Sequence, residues 1–164
     1  MNSNVVIVND ADRAIALMYD VCVWMDKAGL VNSEWWQPKN MNKEFMFKQA
    51  EPDEFFVAIV NGEPAAPVIL QDNERNQSWH YIDKNLPQKA LYIHWLAVNR
   101  KFAGQGLPKF LIDFAITQAK DKQLKLLRLD TEAHQPKLMN LYKNIGFNLM
   151  GVENKETAYF QMEI

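Results

Sequence analysis

The sequence predicts a mixed α/β fold whose central sheet is mostly antiparallel, contains one parallel strand-helix-strand unit and has helices on both faces. Three observations lead to this fold class. Short apolar runs typical of strands alternate with amphipathic stretches typical of helices. Asn61 and Gly62 separate two of these runs, which is a strong signal for an antiparallel hairpin. Residues 91–130 contain a strand, a helix and a second strand, and a connection of this length joins parallel neighbours.

The length and composition indicate one globular domain. The chain has 164 residues, of which 48% are hydrophobic, and this is enough to bury a core without disulfides or metals. We therefore expect a single domain over residues 1–164. No apolar run approaches the roughly 18 residues of a membrane span, and the N-terminus lacks the basic and apolar regions of a signal peptide. We expect a cytoplasmic protein with no membrane association.

Charge and cysteine content narrow the classes of function. The formal net charge is −2, from 18 basic and 20 acidic residues, which gives no reason to expect nucleic acid as a partner. The single cysteine, Cys22, forbids an internal disulfide and lies on an apolar helical stripe. A buried hydrophobic role is therefore favoured for Cys22 over that of a nucleophile. The sequence has no cluster of His and Cys at metal-ligand spacing, so we expect no metal.

The first 70 residues are predicted to form a strand, two helices and a hairpin. The strands are predicted over residues 5–8, 55–60 and 66–70, with a loop over residues 30–40. The first helix begins after a cap at Asn9 or Asp10 and ends at Gly29. Asn40 or Asn42 caps the second helix.

The remaining residues are predicted to complete the parallel unit and to close with a second hairpin. Residues 71–89 are polar and are predicted to be a loop or a frayed extension of the first hairpin. Strands are predicted over residues 91–98, 125–130, 147–152 and 157–164, and helices over residues 107–123 and 136–143.

A glycine turn lies between the longest apolar strand and the helix that follows it. The turn reads Ala-Gly-Gln-Gly over residues 103–106. Glycines let the backbone turn tightly and approach a ligand closely, and the N–H groups at a helix start carry partial positive charge. A strand, a glycine turn and a helix therefore form a seat for a phosphate, so we expect a phosphate-bearing cofactor.

Three segments in this order resemble the GNAT superfamily of acetyl-CoA-dependent N-acetyltransferases. They are the strand that enters the glycine turn, the strand at residues 126–130, and Leu-Tyr-x-x-x-Gly-Phe at residues 141–147. The resemblance is strongest over residues 90–151, and the order of elements fits the family over nearly the whole chain. It implies a GNAT-like sheet and an acyltransferase that moves an acetyl group from acetyl-CoA to a primary amine of a small molecule or peptide by direct attack.

The resemblance also implies which residues bind the cofactor. The pantetheine arm of CoA is expected along Leu96 to Val98, and the pyrophosphate on the N–H groups of the glycine turn. Gln135 stands where the family often has an asparagine that contacts CoA, although a loop-capping role is an alternative. The full set expected to contact CoA is Leu96, Ala97, Val98, Ala103, Gly104, Gln105, Gly106, Leu107, Lys109 and Gln135.

Two positions depart from the loop pattern of the family, which is Gln or Arg, two residues, Gly, one residue, then Gly or Ala. Ala103 has no polar side chain, and Pro108 has no N–H to donate. If each lost hydrogen bond to a charged group costs about 1.5–3 kcal/mol, the pair costs roughly 3–6 kcal/mol. A micromolar site would then become millimolar or weaker. Arg100, Lys101 and Lys109 are the nearby cations that would compensate.

Candidate catalytic groups follow from the same resemblance. Tyr142 occupies the acid position of the family, and a phenol has a proton to give to the CoA thiolate at neutral pH; packing beneath its helix is the alternative. His94 is the candidate base, because an imidazole titrates near neutral pH and this one precedes Val98 on the strand that faces the cofactor. A structural histidine is the alternative, and Glu132 and His134 are weaker candidates.

Three tryptophans fall in loops where the family places its acceptor pocket. They are Trp35, Trp36 and Trp79. Aromatic walls suit an ammonium group or a flat apolar substrate, whereas the alternative role is to pin these loops to the core. The sequence leaves the acceptor undetermined, and the terminal strands would allow a homodimer.

Other classes of protein share part of this pattern. A dinucleotide-binding Rossmann domain also begins with a strand, a Gly-x-Gly turn and a helix, and Asp130 would be its acidic residue. The third glycine is missing, and about 34 residues after Asp130 are too few for the remaining repeats. Asp130 more simply ends its strand and holds Arg128 or a backbone N–H. The remaining alternative is a GNAT-like domain that binds CoA, another ligand or a partner without acetyl transfer.

Overall fold

The computed structural model describes residues 4–30, 33–75 and 77–164. These residues contain seven β-strands and five α-helices, and the strands pair mostly antiparallel with one parallel pair. The predicted mixed α/β class is therefore confirmed. The chain divides into two compact units, one of Met1–Leu70 with Trp95–Leu111 and one of Gln71–His94 with Ile112–Ile164. Within the described ranges, no helix has both the length and the apolar character needed to cross a bilayer.

The first unit combines an antiparallel ladder with one long helix. Its elements are β1 Val5–Asn9, α1 Ala11–Lys27, α2 Lys43–Met46, β2 Phe55–Val60 and β3 Glu63–Gln71. β1 pairs with β2 and β2 pairs with β3, both antiparallel. The predicted strands and hairpin are confirmed, and Asn61 and Gly62 both have the positive φ that a tight hairpin turn needs (49° and 85°).

Predicted capping residues begin both helices of this unit. The Asp10 carboxylate accepts a hydrogen bond of 3.0 Å from the N–H of Arg13 at the start of α1. The Asn42 side chain accepts one of 2.9 Å from the N–H of Phe45 at the start of α2. Gly29 follows α1 with a φ of +68°, as predicted for a helix stop.

Cys22 lies on the face of α1 that packs on β2. Its side chain is fully buried in a core that includes Met18, Met46 and Phe55. Burial raises the pKa of the Cys22 thiol to about 11, so the thiol stays protonated and unreactive. The prediction of a buried hydrophobic role is confirmed.

The second unit contains the parallel strand pair and the closing hairpin. Its elements are α3 His80–Asp83, β4 Leu91–His94, β5 Leu126–Glu132, α5 Pro136–Ile145, β6 Asn148–Glu153 and β7 Thr157–Glu163. A further helix, α4 Leu107–Asp121, starts in the residues of the first unit and continues in those of the second. β4 is parallel to β5 and β6 is antiparallel to β7, as the sequence predicts, and β7 is also antiparallel to β5.

Two local predictions are wrong. The strand expected over residues 91–98 ends at His94, because Trp95 adopts a left-handed φ of +55° that an extended strand does not accommodate. The segment expected to be a loop over residues 71–89 contains the one-turn helix α3.

Candidate functional site

Residues after Trp95 run beside β3 in the first unit. The N–H of Ala97 donates to the carbonyl of Pro67 (3.3 Å), and the N–H of Asn99 donates to that of Ala65 (2.8 Å). Between these two bonds the donor moves two residues forward along the chain and the acceptor moves two residues back along β3, which is the pattern of extended antiparallel backbone. Successive N–H groups of an extended segment point in opposite directions, so those of Leu96 and Val98 point away from β3. The N–H groups of Leu96 and Val98 are thus directed away from β3, whereas that of Ala97 is bonded to it.

The glycine turn follows this segment directly. Gly104 and Gly106 adopt φ values of +78° and +75°, and an added Cβ at either position would meet no described atom within 4 Å. Backbone conformation therefore explains the requirement for glycine at both positions. The N–H of Phe110 donates to the carbonyl of Gly106 (3.1 Å), so intrahelical bonding in α4 begins there and the preceding turn is the part of the helix that can bind an anion.

The expected compensating cations near the turn have other contacts. The Arg100 guanidinium lies over the ring of Trp24, 5.2 Å from its centroid. The ammonium of Lys101 forms an ion pair of 2.5 Å with Glu63. Ala103, which lacks the polar side chain of the family's loop, is exposed in the glycine turn. Pro108, which lacks an N–H to donate, lies in the first turn of α4.

The predicted acceptor tryptophans of the first unit lie on a loop fixed by a buried amide. The side chain of Asn40 donates to the carbonyls of Glu34 (2.9 Å) and Trp35 (3.0 Å). Trp36 packs on Trp95 with ring centroids 4.8 Å apart, whereas Trp35 is 48% exposed. Residues 33–40 of this loop are therefore held by their own hydrogen bonds, and Trp35, whose ring also contacts that of Phe45 (centroids 6.2 Å apart), remains half-exposed.

Trp79, the third predicted acceptor residue, lies in the core of the second unit. It is 2% exposed and packs against Tyr92 and Tyr159. The Arg128 guanidinium covers its ring at 4.3 Å from the centroid. This position corresponds to the alternative prediction, a tryptophan that pins its segment to the core.

The candidate base, His94, is the last residue of β4. Its ring lies nearly parallel to that of Tyr92, with centroids 6.4 Å apart and an interplanar angle of 7°. Asp130 on β5 is its electrostatic neighbour: burial raises the pKa of Asp130, the charge of His94 opposes this effect, and Glu74 adds to it. The second unit thus brings an imidazole and a carboxylate into interaction.

The candidate acid, Tyr142, is buried on α5. It is 6% exposed and packs against Phe147 and Phe160, with ring centroids 6.0 Å and 5.8 Å away. Burial, and then the negative charge of Asp130, raise the pKa of Tyr142 to about 12. The phenol is therefore fully protonated at neutral pH and has a proton to donate.

Gln135 and the weaker base candidates form one surface cluster. The Gln135 amide donates to the Glu132 carboxylate (3.1 Å), and the imidazole of His134 lies 3.4 Å from the same carboxylate. Gln135 occupies the N-cap position of α5, but its side chain makes no capping hydrogen bond to the helix and is bonded to Glu132 instead.

Arg128 is held by a residue that the sequence did not suggest. Its guanidinium donates to both carboxylate oxygens of Asp83, each at 2.7 Å. It also donates to Gln161 (2.9 Å) and to the Tyr92 hydroxyl (3.5 Å). Asp130, which was expected to hold Arg128 or a backbone N–H, accepts its own backbone N–H instead. The sequence analysis did not identify Asp83 and Glu74, because both lie in the segment predicted to be a loop. A weak helical pattern around His80 was the signal that could have indicated α3.

Comparisons with known proteins agree on the family. The family model described as acetyltransferase (GNAT) family matches residues 19–147. YesJ of Bacillus subtilis (strain 168), an uncharacterized N-acetyltransferase, is 27% identical over 157 residues, which is 94% of this chain and 86% of that protein.

Solved structures share the fold over nearly the whole chain. A GNAT family acetyltransferase from Listeria monocytogenes 4b F2365 has a TM-score of 0.78 at 23% identity, covering 99% of this chain and 95% of the other. PaiA N-acetyltransferase from Thermoplasma acidophilum, in complex with coenzyme A, has a TM-score of 0.73 at 14% identity, covering 98% and 99%. The family match and the related N-acetyltransferase agree with the fold, so this chain belongs to the GNAT family and is an acyltransferase.

Proposed function

We propose that this protein is an N-acetyltransferase that moves the acetyl group of acetyl-CoA to a primary amine of a small molecule or peptide by direct attack. The observation that carries the proposal is the extended backbone of residues 96–99 leading into the glycine turn and helix α4. This arrangement offers N–H donors first to an amide-containing arm and then to a pyrophosphate. The CoA complex of the structural relative from Thermoplasma acidophilum supports acetyl-CoA as the donor.

Each part of the cofactor has a proposed partner. The pantetheine amides pair with the backbone of Leu96 and Val98, while Ala97 supports this segment by its bond to Pro67. The pyrophosphate is bound by backbone N–H groups of the turn and of the first residues of α4. The remaining proposed contacts are Ala103, Gly104, Gln105, Gly106, Leu107, Lys109 and Gln135.

The proposed reaction needs a base, an oxyanion donor and an acid. His94 takes a proton from the ammonium form of the acceptor, and the neutral nitrogen attacks the acetyl carbonyl. The backbone N–H of Leu96 or Val98 stabilises the oxyanion that forms as the C–N bond is made. The C–S bond then breaks, and the CoA thiolate takes the proton of the Tyr142 hydroxyl. The second proton that the nitrogen loses on becoming an amide restores the Tyr142 phenol through solvent.

The acceptor amine is proposed to contact the loop of Trp35 and Trp36. Trp35 is 48% exposed, and its aromatic face suits an ammonium group or an apolar amine. Trp79 is omitted from this role because it is buried under Arg128. We further propose one acetyltransferase domain over residues 1–164, acting in the cytoplasm. Of the terminal strands expected to allow a homodimer, β7 is paired on both sides, with β5 and β6, so the edge strand β1 is the proposed homodimer surface.

A second candidate function has a specific observation in its favour. Ala103 and Pro108 remove two contacts of the family's loop, and Arg100 and Lys101 are engaged with Trp24 and Glu63. A GNAT-like domain with this loop would bind CoA, another ligand or a partner without transferring an acetyl group.

Thermal stabilisation and product formation separate these functions. Acetyl-CoA, CoA and NAD are added in parallel at up to millimolar concentration, followed by acetyl-CoA with a panel of small amines and peptides. The transferase hypothesis predicts a rise in Tm with acetyl-CoA and CoA and the formation of an acetylated amine. A rise in Tm without product in any amine assay would favour the binding function. No rise with acetyl-CoA would refute CoA binding, and a rise with NAD alone would support a dinucleotide site.

A further inference from the structure

His94 and Asp130 lie on neighbouring parallel strands of the second unit. β4 and β5 are paired at Leu91 with Leu127 and at Tyr92 with Arg128. His94 is two residues after Tyr92, at the end of β4, and Asp130 is two residues after Arg128 in β5.

The two side chains share one face of the sheet. Alternate residues of a strand point to the same side, so His94 follows Tyr92, and Asp130 follows Arg128. Tyr92 and Arg128 are in contact on this face, because the guanidinium donates to the Tyr92 hydroxyl (3.5 Å). The His94 ring continues the row by stacking parallel to Tyr92. The side chains of Asp130 and His94 are therefore directed to the same side of the two neighbouring strands.

The other charged and titratable groups near Asp130 come from three further elements. Glu74 precedes α3, Tyr142 lies on α5, and Tyr159 lies opposite Asp130 on β7. Tyr142 and Tyr159 both have a raised pKa, first because they are buried and in part because of the negative charge of Asp130. Arg128 also lies on this strand, but its charge is balanced by Asp83. His94 is the one of these groups whose charge lowers the pKa of Asp130.

We propose that Asp130 is a positioning residue that orients the His94 imidazole and stabilises its protonated form when His94 takes the proton of the acceptor amine. The inference rests on the proposed function, in which His94 is the base. The proton moves from the amine nitrogen to an imidazole nitrogen, the C–N bond forms and the C–S bond breaks, and Asp130 itself neither gains nor loses a proton. The thiolate that leaves takes the proton of the Tyr142 hydroxyl, as in the proposed reaction.

The relationship is tested first without substrate. The chain has three histidines, so the His94 imidazole signal in an NMR pH titration is assigned by its loss in His94→Gln. In Asp130→Asn we expect the midpoint of the His94 signal to fall by roughly one pH unit, because a nearby carboxylate favours the charged imidazole. Asp121→Asn removes an exposed carboxylate at the end of α4 and is expected to leave the midpoint unchanged. Equal midpoints in Asp130→Asn and the wild type would overturn the inference.

The role in the reaction is tested by the pH profile of kcat/KM. Asp130→Asn is expected to lower kcat at least tenfold and to move the acid limb of the profile to lower pH, and Asp130→Glu is expected to restore the position of that limb. A lower rate with an unmoved limb would indicate a structural role and would contradict the proposal. If Asp130→Asn fails to fold by circular dichroism, Asp130→Ser provides the same comparison.

Failure of this inference is distinguishable from failure of the proposed function. If the wild type forms no acetylated amine, the proposed function fails, and the NMR comparison still decides whether Asp130 acts on His94. If the wild type is active and the two titrations coincide, the transferase function stands and Asp130 has no positioning role.

Discussion

Asp83 on α3 and Arg128 on β5 form a bidentate ion pair, 45 residues apart in sequence, with both oxygen–nitrogen distances at 2.7 Å. The two side chains are only 9% and 2% exposed. Trp79 covers the guanidinium, and Gln161 accepts a further hydrogen bond from it. The pair therefore fixes the segment between β3 and β4 to the face of the second unit that carries His94 and Asp130.

Asp83→Asn is expected to lower the free energy of unfolding by about 3–5 kcal/mol, because it leaves a buried guanidinium without its counter-charge. Urea denaturation at neutral pH measures the change. The exposed pair of Asp72 and Lys122, 3.1 Å apart, is the control, and Asp72→Asn is expected to cost no more than about 1 kcal/mol. Equal losses in the two variants would show that the buried pair stabilises the protein no more than the exposed pair does.

The stability of the protein should decline in alkaline solution in part through Tyr142. Its pKa is raised from 10.0 to about 12, so the folded state retains the phenolic proton more strongly than the unfolded state. The resulting stabilisation is fully present below pH 10 and is lost as pH rises from 10 through 12. At pH 11 the wild type should lose about 1.4 kcal/mol relative to neutral pH through this group alone.

Tyr142→Phe lacks this titration and provides the comparison. Urea denaturation of both proteins at pH 8 and pH 11 should show the smaller loss in the variant. A wild type and a variant that lose the same stability between these pH values would contradict the raised pKa of Tyr142.

The glycine turn should be sensitive to an added side chain for reasons of backbone conformation. Gly106→Ala is expected to cost about 1–2 kcal/mol of stability, because φ is +75° and no neighbour opposes the new methyl group. Gly29→Ala is a matched control with φ at +68° and equally open surroundings, away from the turn in sequence. Calorimetric titration should show weaker binding of acetyl-CoA in Gly106→Ala only. Equal affinities in both variants would remove this turn as the phosphate seat.

Restoring the side chain that the family has at position 103 should strengthen cofactor binding. Ala103→Arg adds a cation at an exposed position of the turn and is expected to tighten acetyl-CoA binding about tenfold, corresponding to one charged hydrogen bond of about 1.4 kcal/mol. The gain should shrink at high salt. Ala103→Met matches the added length without charge and is expected to bind like the wild type; a gain of the same size in Ala103→Met would contradict a phosphate contact.

Local signals predicted most of the fold. Capping residues such as Asp10 and Asn42, and the turn of Asn61 and Gly62, act within a few residues, so the sequence determines them directly. The strand at residues 91–98 was predicted too long because its apolar pattern continues through Trp95. The left-handed φ of Trp95 depends on the surrounding structure, where its ring packs on Trp36, and a side-chain pattern does not reveal it.

Contacts between side chains that are distant in sequence could not be predicted. Asp130 was expected to hold Arg128 or a backbone N–H, yet the partner of Arg128 is Asp83 of α3, 45 residues away in sequence. Trp79 was considered for the acceptor pocket, and its burial depends on the same approach of the segment that carries Asp83. The motif residues, by contrast, were predictable in position, since Tyr142 and the glycine turn occur within regular local patterns.

The most direct measurement is the transfer of a radiolabelled acetyl group from acetyl-CoA to an amine, in the wild type and in Tyr142→Phe. We predict labelled acetylamine that accumulates with time and with enzyme concentration, and a rate at least 100-fold lower in Tyr142→Phe, because the variant has no proton to give to the thiolate. Both proteins should bind acetyl-CoA with similar affinity. An equal rate in the variant would remove Tyr142 as the acid, and the absence of labelled product from every amine tested with a wild type that binds acetyl-CoA would contradict the proposal of acetyl transfer.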